Sequence, residues 1–332
     1  MDKRIGLVPV AWLALLHVGA AGAGFLAPYD PAEQDRSAPL APPTPIHFRD
    51  PEGAYHARPF VCAGGNASRL EDCQQRFPVR FFVSGPGRSI LGLFRSGWRL
   101  VGVSSPGGLH LMGTDDYGRD QFSRFLYGGQ VSLLCGLLAC AISLAAASLL
   151  GMLAGYFGGW VDDALMGAAE ISLALPWLYL LVAVRALLPF DEPPRTAFLI
   201  ICLLLGLAGW ARPARLIRAT ALAARERAYV LASRNFGASS PHILRRHILP
   251  QLLPVCATQS SLLIPRYILA EVTLSFLGLG VNEPVPSWGN MLAPLQHYSA
   301  LIQGWWLFLP ALILVPTSLA YFSVAKRLAT ES

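Results

Sequence analysis

Long uncharged apolar runs constrain this chain more than any other feature of its sequence. A helix needs roughly 20 apolar residues to cross the hydrocarbon core of a bilayer. With 54% hydrophobic and only 14% charged residues, the chain is also too apolar for an ordinary soluble enzyme. The sequence therefore predicts an all-α polytopic membrane protein with about six transmembrane helices. The predicted spans cover residues 5–27, 131–157, 164–188, 196–211, 252–279 and 305–325.

Basic residues at the ends of these spans predict the orientation of the chain. Lys3 and Arg4 precede the first span, and Lys326 and Arg327 follow the last. Eight arginines lie in the segment 212–246 between the fourth and fifth spans. Because short cytoplasmic segments of membrane proteins carry an excess of lysine and arginine, both termini and this segment are predicted to be cytoplasmic.

Residues 1–28 are predicted to form an N-terminal transmembrane helix that anchors the chain. The alternative is a cleaved signal peptide, because Ala21, Gly22 and Ala23 are small residues of the kind found at cleavage sites. The apolar run is longer than that of a usual signal peptide, which favours the anchor. In either case, residues 29–126 form an extracytoplasmic insertion, and the other spans lie within residues 127–328.

The insertion contains two cysteines in the segment "VCAGGNASRLEDC". In an oxidising compartment, Cys62 and Cys73 are predicted to form a disulfide that closes a short loop. The alternative is two unpaired buried thiols. The four other cysteines lie within spans, where packing is their expected role.

No motif of the chain predicts catalysis or a bound cofactor. The carboxylates of "GTDDYGRD", residues 113–120, lack the spacing of a calcium loop, so a structural turn is expected there and no metal site. The two lysines, Lys3 and Lys326, do not lie in a phosphate-binding loop. No nucleic-acid-binding module is present, and the basic pI of about 9.1 is attributed to the cytoplasmic arginines.

The arginine-rich segment continues into "AYVLASRNFGASSPHILRRHILP", residues 228–250. Ala228, Leu231, Ala232 and Phe236 recur at helical spacing, which predicts a short amphipathic helix. Gly237 is expected to close this helix, because glycine readily adopts the left-handed conformation of a helix end.

A second short helix is predicted to follow the glycine. Ser240 is expected to cap it, and Pro241 suits its first position, where the missing N–H has no helical partner anyway. An apolar stripe then continues until Pro250 leads into the fifth span. The alternative is a basic loop that only orients the protein and lies on anionic membrane lipid. The stripe contains Ile243, Leu244, Ile248 and Leu249.

This stretch resembles the cytoplasmic loop of ABC importer permeases, whose pattern is Glu-Ala-Ala, three residues, Gly and a downstream Leu-Pro. Leu231-Ala232-Ser233, Gly237 and Leu249-Pro250 occupy those places. Four other segments resemble the dipeptide and oligopeptide branch of these permeases, so the similarity covers residues 111–328. They read "GTDDYGRDQFSRFLYGGQVSL", "GYFGGWVDD", "LSFLGLGV" and "PSWGNML".

The resemblance implies a type I (MetI-like) permease core in the inner membrane and ATP-driven import of peptides, with nickel chelates or other solutes as alternatives. It implies a second homologous permease, cytoplasmic ABC ATPase subunits and an extracytoplasmic solute-binding protein as partners. The loop 213–250 would couple the permease to the ATPases, although Leu231 and Ser233 depart from the family's Glu and Ala. The implied coupling residues are Leu231, Ala232, Ser233, Gly237, Ala238, Ser240, Pro241, Leu249 and Pro250.

Three ionisable residues fall within predicted spans, where a charge is costly and is usually functional or paired. Glu170, Arg266 and Glu271 are predicted to lie by the translocation path, or else to form structural ion pairs or reach the interface. A rival interpretation is an ion-coupled secondary transporter in which they form a relay. That class predicts inverted internal repeats, and the two halves of this sequence show no convincing symmetry.

Overall fold

The computed structural model describes residues 7–50, 52–63, 75–90, 94–104, 107–186, 192–297 and 304–331. The chain separates into two compact units. The first comprises Met1–Leu13, Leu133–Leu274 and Val315–Ser332, and the second comprises Ala14–Ser132 and Ser275–Leu314.

Helices make up most of the described chain, in agreement with the prediction for its membrane-embedded part. Three helical segments are long and apolar enough to cross a membrane, namely Gln121–Phe157, Ser240–Phe276 and Trp305–Thr330. The helices are α1 (Leu7–Ala21), α2 (Ala23–Leu26), α3 (Gln121–Phe157), α4 (Gly159–Ala174), α5 (Trp177–Ala186), α6 (Pro194–Ala208), α7 (Ala211–Arg225), α8 (Ala228–Asn235), α9 (Ser240–Ile243), α10 (Leu249–Phe276), α11 (Trp288–Leu292) and α12 (Leu309–Glu331).

Two bent pairs of helices would each add a span if the pair crosses the membrane as one unit, and α1 is a shorter apolar helix. The axis turns by 86° between α4 and α5 and by 48° between α6 and α7. The second bend falls at Gly209, where the predicted fourth span was expected to run on to residue 211. By length and composition, the described chain therefore holds up to five spans besides α1, close to the six that the sequence predicts.

The insertion contains β-strands, which its sequence pattern does not predict. An antiparallel sheet joins β1 (His47–Arg49), β2 (Tyr55–Ala63) and β3 (Gln75–Pro78), and a hairpin joins β4 (Arg80–Ile90) to β5 (Phe94–Gly102). Val61, Val79 and Leu109 form a small buried core. The sequence does not predict these strands, because interspersed glycine, proline and arginine obscure the alternation of apolar and polar residues that marks a strand.

Among the described residues, one cysteine is disulfide-bonded and four are free thiols. Cys62 on β2 is disulfide-bonded, while its predicted partner, Cys73, lies outside the described residues. Cys135, Cys140 and Cys202 are buried free thiols. Cys256 is a partly buried free thiol, so the cysteines of the spans act as packing residues as predicted.

Candidate functional site

A glycine turn ends α8 in the arginine-rich segment. Gly237 has a φ of 81°, the left-handed conformation expected from the sequence. The Ala238 N–H donates to the Ser233 carbonyl at 3.1 Å, and the Gly237 N–H donates to the Arg234 carbonyl at 3.0 Å. These two bonds define a Schellman motif, which satisfies the last carbonyls of α8 and fixes the direction in which the chain leaves it.

The second helix of the segment begins one residue earlier than predicted. Ser239, with φ −69° and ψ 151°, is the N-cap of α9, so Ser240 is the first helical residue and not the cap. Pro241 is still tolerated because N–H groups throughout the first turn have no helical acceptor. Ser240 instead meets α3, where the Tyr156 hydroxyl donates to its Oγ at 3.4 Å.

The helix does not end before the following span. A π-helical turn, Leu244–Ile248, connects α9 to α10, which makes Ser240–Phe276 one helical segment. Pro250 cannot donate to the Arg246 carbonyl, and its ring would clash with that carbonyl in a regular helix. The Leu249 N–H bonds to the Leu244 carbonyl instead, so the wider turn accommodates the proline without a break.

We refer to α8, the glycine turn, α9 and the π-helical turn, residues 228–248, as the helix–turn–helix segment. Buried apolar side chains attach this segment to the rest of its unit. Val230 of α8 packs with Ile243 and Ile248 against Ala221 and Ala224 of α7. Side chains from the end of α3 complete the cluster. Leu244 of the predicted stripe is also buried, whereas Leu249 is exposed. The segment is therefore a packed element and not a loose loop.

The apolar stripe predicted on α8 faces outward. Ala228, Leu231 and Ala232 are exposed, and Phe236 beside the glycine turn is 92% exposed. The only buried apolar anchor of the described α8 residues is Val230. Ala228, Leu231, Ala232 and Phe236 therefore form an exposed apolar surface, and contiguous surfaces of this kind mark interaction sites.

Two arginines of α7 hold the neighbouring "GYFGGWVDD" segment. Arg218 forms a bidentate ion pair with Asp162 at the start of α4. Arg225 Nη1 donates to the carbonyls of Gly155 and Tyr156 at 3.2 and 3.4 Å, at the C-terminal end of α3. The sequence predicts only an orienting role for both arginines. The two arginines are seven residues apart and therefore lie on one helix face. This spacing was the sequence signal for a shared structural role.

We expect Arg218→Ala to destabilise the first unit measurably. Removing one partner of a buried ion pair costs about 3–5 kcal/mol, and partial exposure of Arg218 reduces this to roughly 1–3 kcal/mol. Thermal unfolding in detergent should show a lower Tm. Arg215→Ala is the matched control, because Arg215 pairs with Glu170 at 3.2 Å where both side chains are exposed. Equal Tm values for the two variants would contradict the structural role of Arg218.

Small residues allow α3 and α7 to pack closely. A Cβ at Gly151 would lie 2.5 Å from the Ala214 carbonyl oxygen, and a Cβ at Gly155 would lie 2.6 Å from the Arg218 carbonyl oxygen. Ala147, one turn earlier on the same face, is fully buried. Small residues four positions apart let helix backbones approach in membranes, where the hydrophobic effect supplies little attraction between helices.

The three ionisable residues of the predicted spans occupy different surroundings. Glu170 pairs with Arg215, and Arg266 lies over the Trp177 ring at 5.6 Å. Glu271 is fully buried in α10. Because Arg266 and Glu271 are five residues apart, their side chains leave the helix about 140° from each other.

The "GTDDYGRD" segment of the second unit forms a buried ionic turn. Asp115 accepts hydrogen bonds from the backbone N–H of Arg119 at 2.9 Å and from its Nε at 2.7 Å. Arg119 and Arg124 both bind the Glu283 carboxylate, at 2.6 and 2.8 Å. Burial alone would lower the pKa of Arg119, but Asp115 and Glu283 outweigh this effect and raise it, so the guanidinium stays charged. Asp115 is thus held by arginine, and Asp120 accepts hydrogen bonds from Ser123. No metal-binding cluster occurs among the described residues.

The "PSWGNML" segment meets the start of α3 in the same unit. Ser287 and Asn290 form a capping box at the N-terminus of α11. The Trp288 backbone N–H donates to Ser132 Oγ, and its indole N–H donates to the Phe125 carbonyl, both at 3.1 Å. Segments more than 150 residues apart in sequence therefore form one packed site.

Comparison with known proteins identifies the family. Residues 147–330, which include the whole helix–turn–helix segment, match the binding-protein-dependent transport system inner membrane component family. The chain belongs to this family. It is therefore a permease subunit of an ABC importer and a multi-pass protein of the inner membrane.

Relatives of the permease include two named for dipeptides. The dipeptide transport system permease protein DppC of Bacillus subtilis (strain 168) is 36% identical over 218 residues, which cover 65% of this chain and 66% of that protein. The probable D,D-dipeptide transport system permease protein DdpC of Escherichia coli (strain K12) is 38% identical over 216 residues, covering 65% and 70%.

Solved structures similar to the permease include two ABC transporters. An amino acid ABC transporter with histidines has a TM-score of 0.44 at 15% identity and covers 63% of this chain and 93% of its own. The MetNI methionine ABC transporter in inward-facing conformations has a TM-score of 0.44 at 17% identity, covering 62% and 95%.

Proposed function

We propose that this permease carries peptides or a related solute across the inner membrane, driven by ATP hydrolysis on separate ABC ATPase subunits. A second homologous permease would complete the pathway, and an extracytoplasmic binding protein would deliver the solute. The dipeptide names of the relatives support this class of cargo. Both termini and the helix–turn–helix segment would lie in the cytoplasm, as the distribution of basic residues predicts.

The observation that carries the proposal is that one face of α8 is apolar and exposed, while its other face packs against α7. Leu231 of α8 and Phe236 at its C-terminal end are exposed, whereas Val230 and Ile248 are buried in the cluster against α7. Full burial of one such side chain against a partner contributes roughly 1.5–3 kcal/mol. Leu231 stands where resembling loops carry Glu, so contact with the ATPase would rest on apolar packing and shape.

The continuous helix provides a route for coupling. Because Ser240–Phe276 is one helical segment, displacement of the docked turn by an ATPase would move the span as well. Glu271 is fully buried in that helix, and Arg266 precedes it by five residues. Since buried charge in a membrane is costly, we propose that Glu271 lies beside the translocation path or supports its wall.

Two substitutions test the docking surface in vesicles that contain the partner permease, the ATPase subunits and loaded binding protein. Phe236→Ser should weaken ATPase binding and lower uptake by about tenfold or more, because the apolar contact is lost. Gly237→Pro should uncouple hydrolysis from uptake, because proline fixes φ near about −65° and removes the N–H that bonds to Arg234.

Phe81→Ser is the matched control, because Phe81 is also exposed but lies in the insertion. Uptake and substrate-stimulated hydrolysis that remain normal in both docking variants would overturn the proposal. Uptake that persists without ATPase subunits and collapses with the ion gradient would favour an ion-coupled transporter instead.

A further inference from the structure

The β4–β5 hairpin packs against α2, the short helix that follows α1 after Gly22. Helix α2 packs against both strands, and the Phe25 ring lies 6.1 Å from the Phe82 ring. Arg99 of β5 donates from Nη1 to the Pro28 carbonyl at 2.7 Å, only two residues after α2 ends at Leu26. The hairpin therefore stays close to the point where the chain leaves this helix.

The chain reaches that point through an apolar segment. Helix α1 has 15 residues, about 22 Å at the rise of an α-helix, and α2 follows it after Gly22. Leu15 and Val18 of α1 are exposed apolar residues, as expected of a face that contacts lipid. The lipid-facing surface of the helix thus ends beside Phe25 and the hairpin.

One face of the hairpin carries side chains suited to the headgroup region. Ser84 pairs with Trp98, and Arg80 pairs with Gly102, which places Arg80, Ser84 and Trp98 on one face. Phe82 lies between Arg80 and Ser84 on β4. Phe82 is 62% exposed and Trp98 is 58% exposed. Tryptophan is enriched at membrane interfaces, and arginine beside it can reach lipid phosphates while its stem contacts apolar groups.

The backbone at Phe82 adds an independent observation. Its φ of 54° lies in the left-handed region, which bulky residues rarely adopt. Glycine would be favoured at such a position, yet the chain has a large exposed aromatic ring there. Strained positions of this kind tend to mark functional contacts.

We propose that the hairpin surface formed by Arg80, Phe82 and Trp98 lies in the phospholipid headgroup region and anchors the insertion to the membrane surface. This contact continues the lipid-facing surface of α1 and does not depend on which solute is carried. The main alternative is that a binding protein docks on this hairpin surface. The hairpin surface would then be exposed to water whenever that protein is absent.

Tryptophan fluorescence of the full-length chain in phosphatidylcholine vesicles tests the proposal. Subtracting the emission of Trp98→Phe from that of the unchanged protein isolates the signal of Trp98. Phosphatidylcholine brominated near the headgroup should quench this signal more than about twofold, and aqueous acrylamide should quench it weakly. Strong quenching by acrylamide without quenching by brominated lipid would overturn the proposal. Quenching by neither agent would also overturn it, because it would show burial against protein.

Two further variants guard against local effects of the substitution. Phe82→Trp in the Trp98→Phe background should show the same quenching by brominated lipid. Tyr55→Trp in that background is the matched control, because Tyr55 is 71% exposed on the other sheet. Its signal should respond to acrylamide and not to brominated lipid.

Discussion

Gly155→Leu is expected to abolish solute uptake by forcing α3 away from α7. Even a Cβ at this position would lie 2.6 Å from the Arg218 carbonyl oxygen and 2.8 Å from the Ala221 Cβ, and leucine adds three more carbon atoms. Overpacking typically costs about 1–3 kcal/mol, and here the cost should reach or exceed this range because a backbone carbonyl cannot rotate away. The same displacement would disturb Arg225, which binds the Gly155 carbonyl.

Uptake into vesicles and the yield of monodisperse protein are the measurements. Gly167→Leu is the matched control, since it also places leucine at a helical glycine, but a Cβ at Gly167 has no atom within 4 Å among the described neighbours. We expect the control to retain most of its uptake. Normal uptake in Gly155→Leu would show that the close approach of α3 and α7 is not required.

Asp115→Asn is expected to open the ionic turn of the second unit. Asp115 is 2% exposed and is a carboxylate partner of Arg119. Asparagine keeps the shape of the side chain but removes its charge. Arg119 and Arg124 then have only one carboxylate left in this cluster, that of Glu283. Removing one partner from a buried charge pair costs about 3–5 kcal/mol, so the turn should unfold locally far more often.

Hydrogen exchange of the backbone amides in residues 117–124 measures this opening directly. Protection of these amides should fall by about a hundredfold or more, since each 1.4 kcal/mol corresponds to a factor of ten. Asp116→Asn is the control because Asp116 is the adjacent carboxylate and is exposed. Equal exchange in the two variants would show that Asp115 is not what holds the turn.

The sequence predicted the helix–turn–helix segment well where the signal was local. Gly237 ends α8 with a positive φ, and Ile243 and Ile248 are buried on one side of the second helix. Whether a stripe is buried or exposed was not predictable, because periodicity defines a face without saying what covers it. The outward stripe of α8 became visible only with the position of α7. Ser240 was misplaced by one residue, since helix boundaries depend on backbone geometry.

The fold of the insertion was not predictable from its sequence. Its strands pair residues far apart in sequence, such as His47 with Phe60 and Arg80 with Gly102. Such pairing depends on register and on a small core assembled from three separate segments, neither of which has a periodic signature. The position of Trp98 beside the end of α2 likewise follows from the Arg99 contact with Pro28, which no motif indicates.

The sequence by itself determined that the chain is a helical membrane protein, that its arginine-rich segment contains a glycine turn, and that its motifs resemble those of ABC importer permeases. These conclusions rest on helix length, local backbone preference and short motifs, which are properties of neighbouring residues. Only the tertiary structure decided that Arg218 pairs with Asp162, that Glu283 joins Arg119 to Arg124, and that Phe236 remains exposed. Ion pairs and burial depend on which distant surfaces meet, and that is set by the packing of the whole chain.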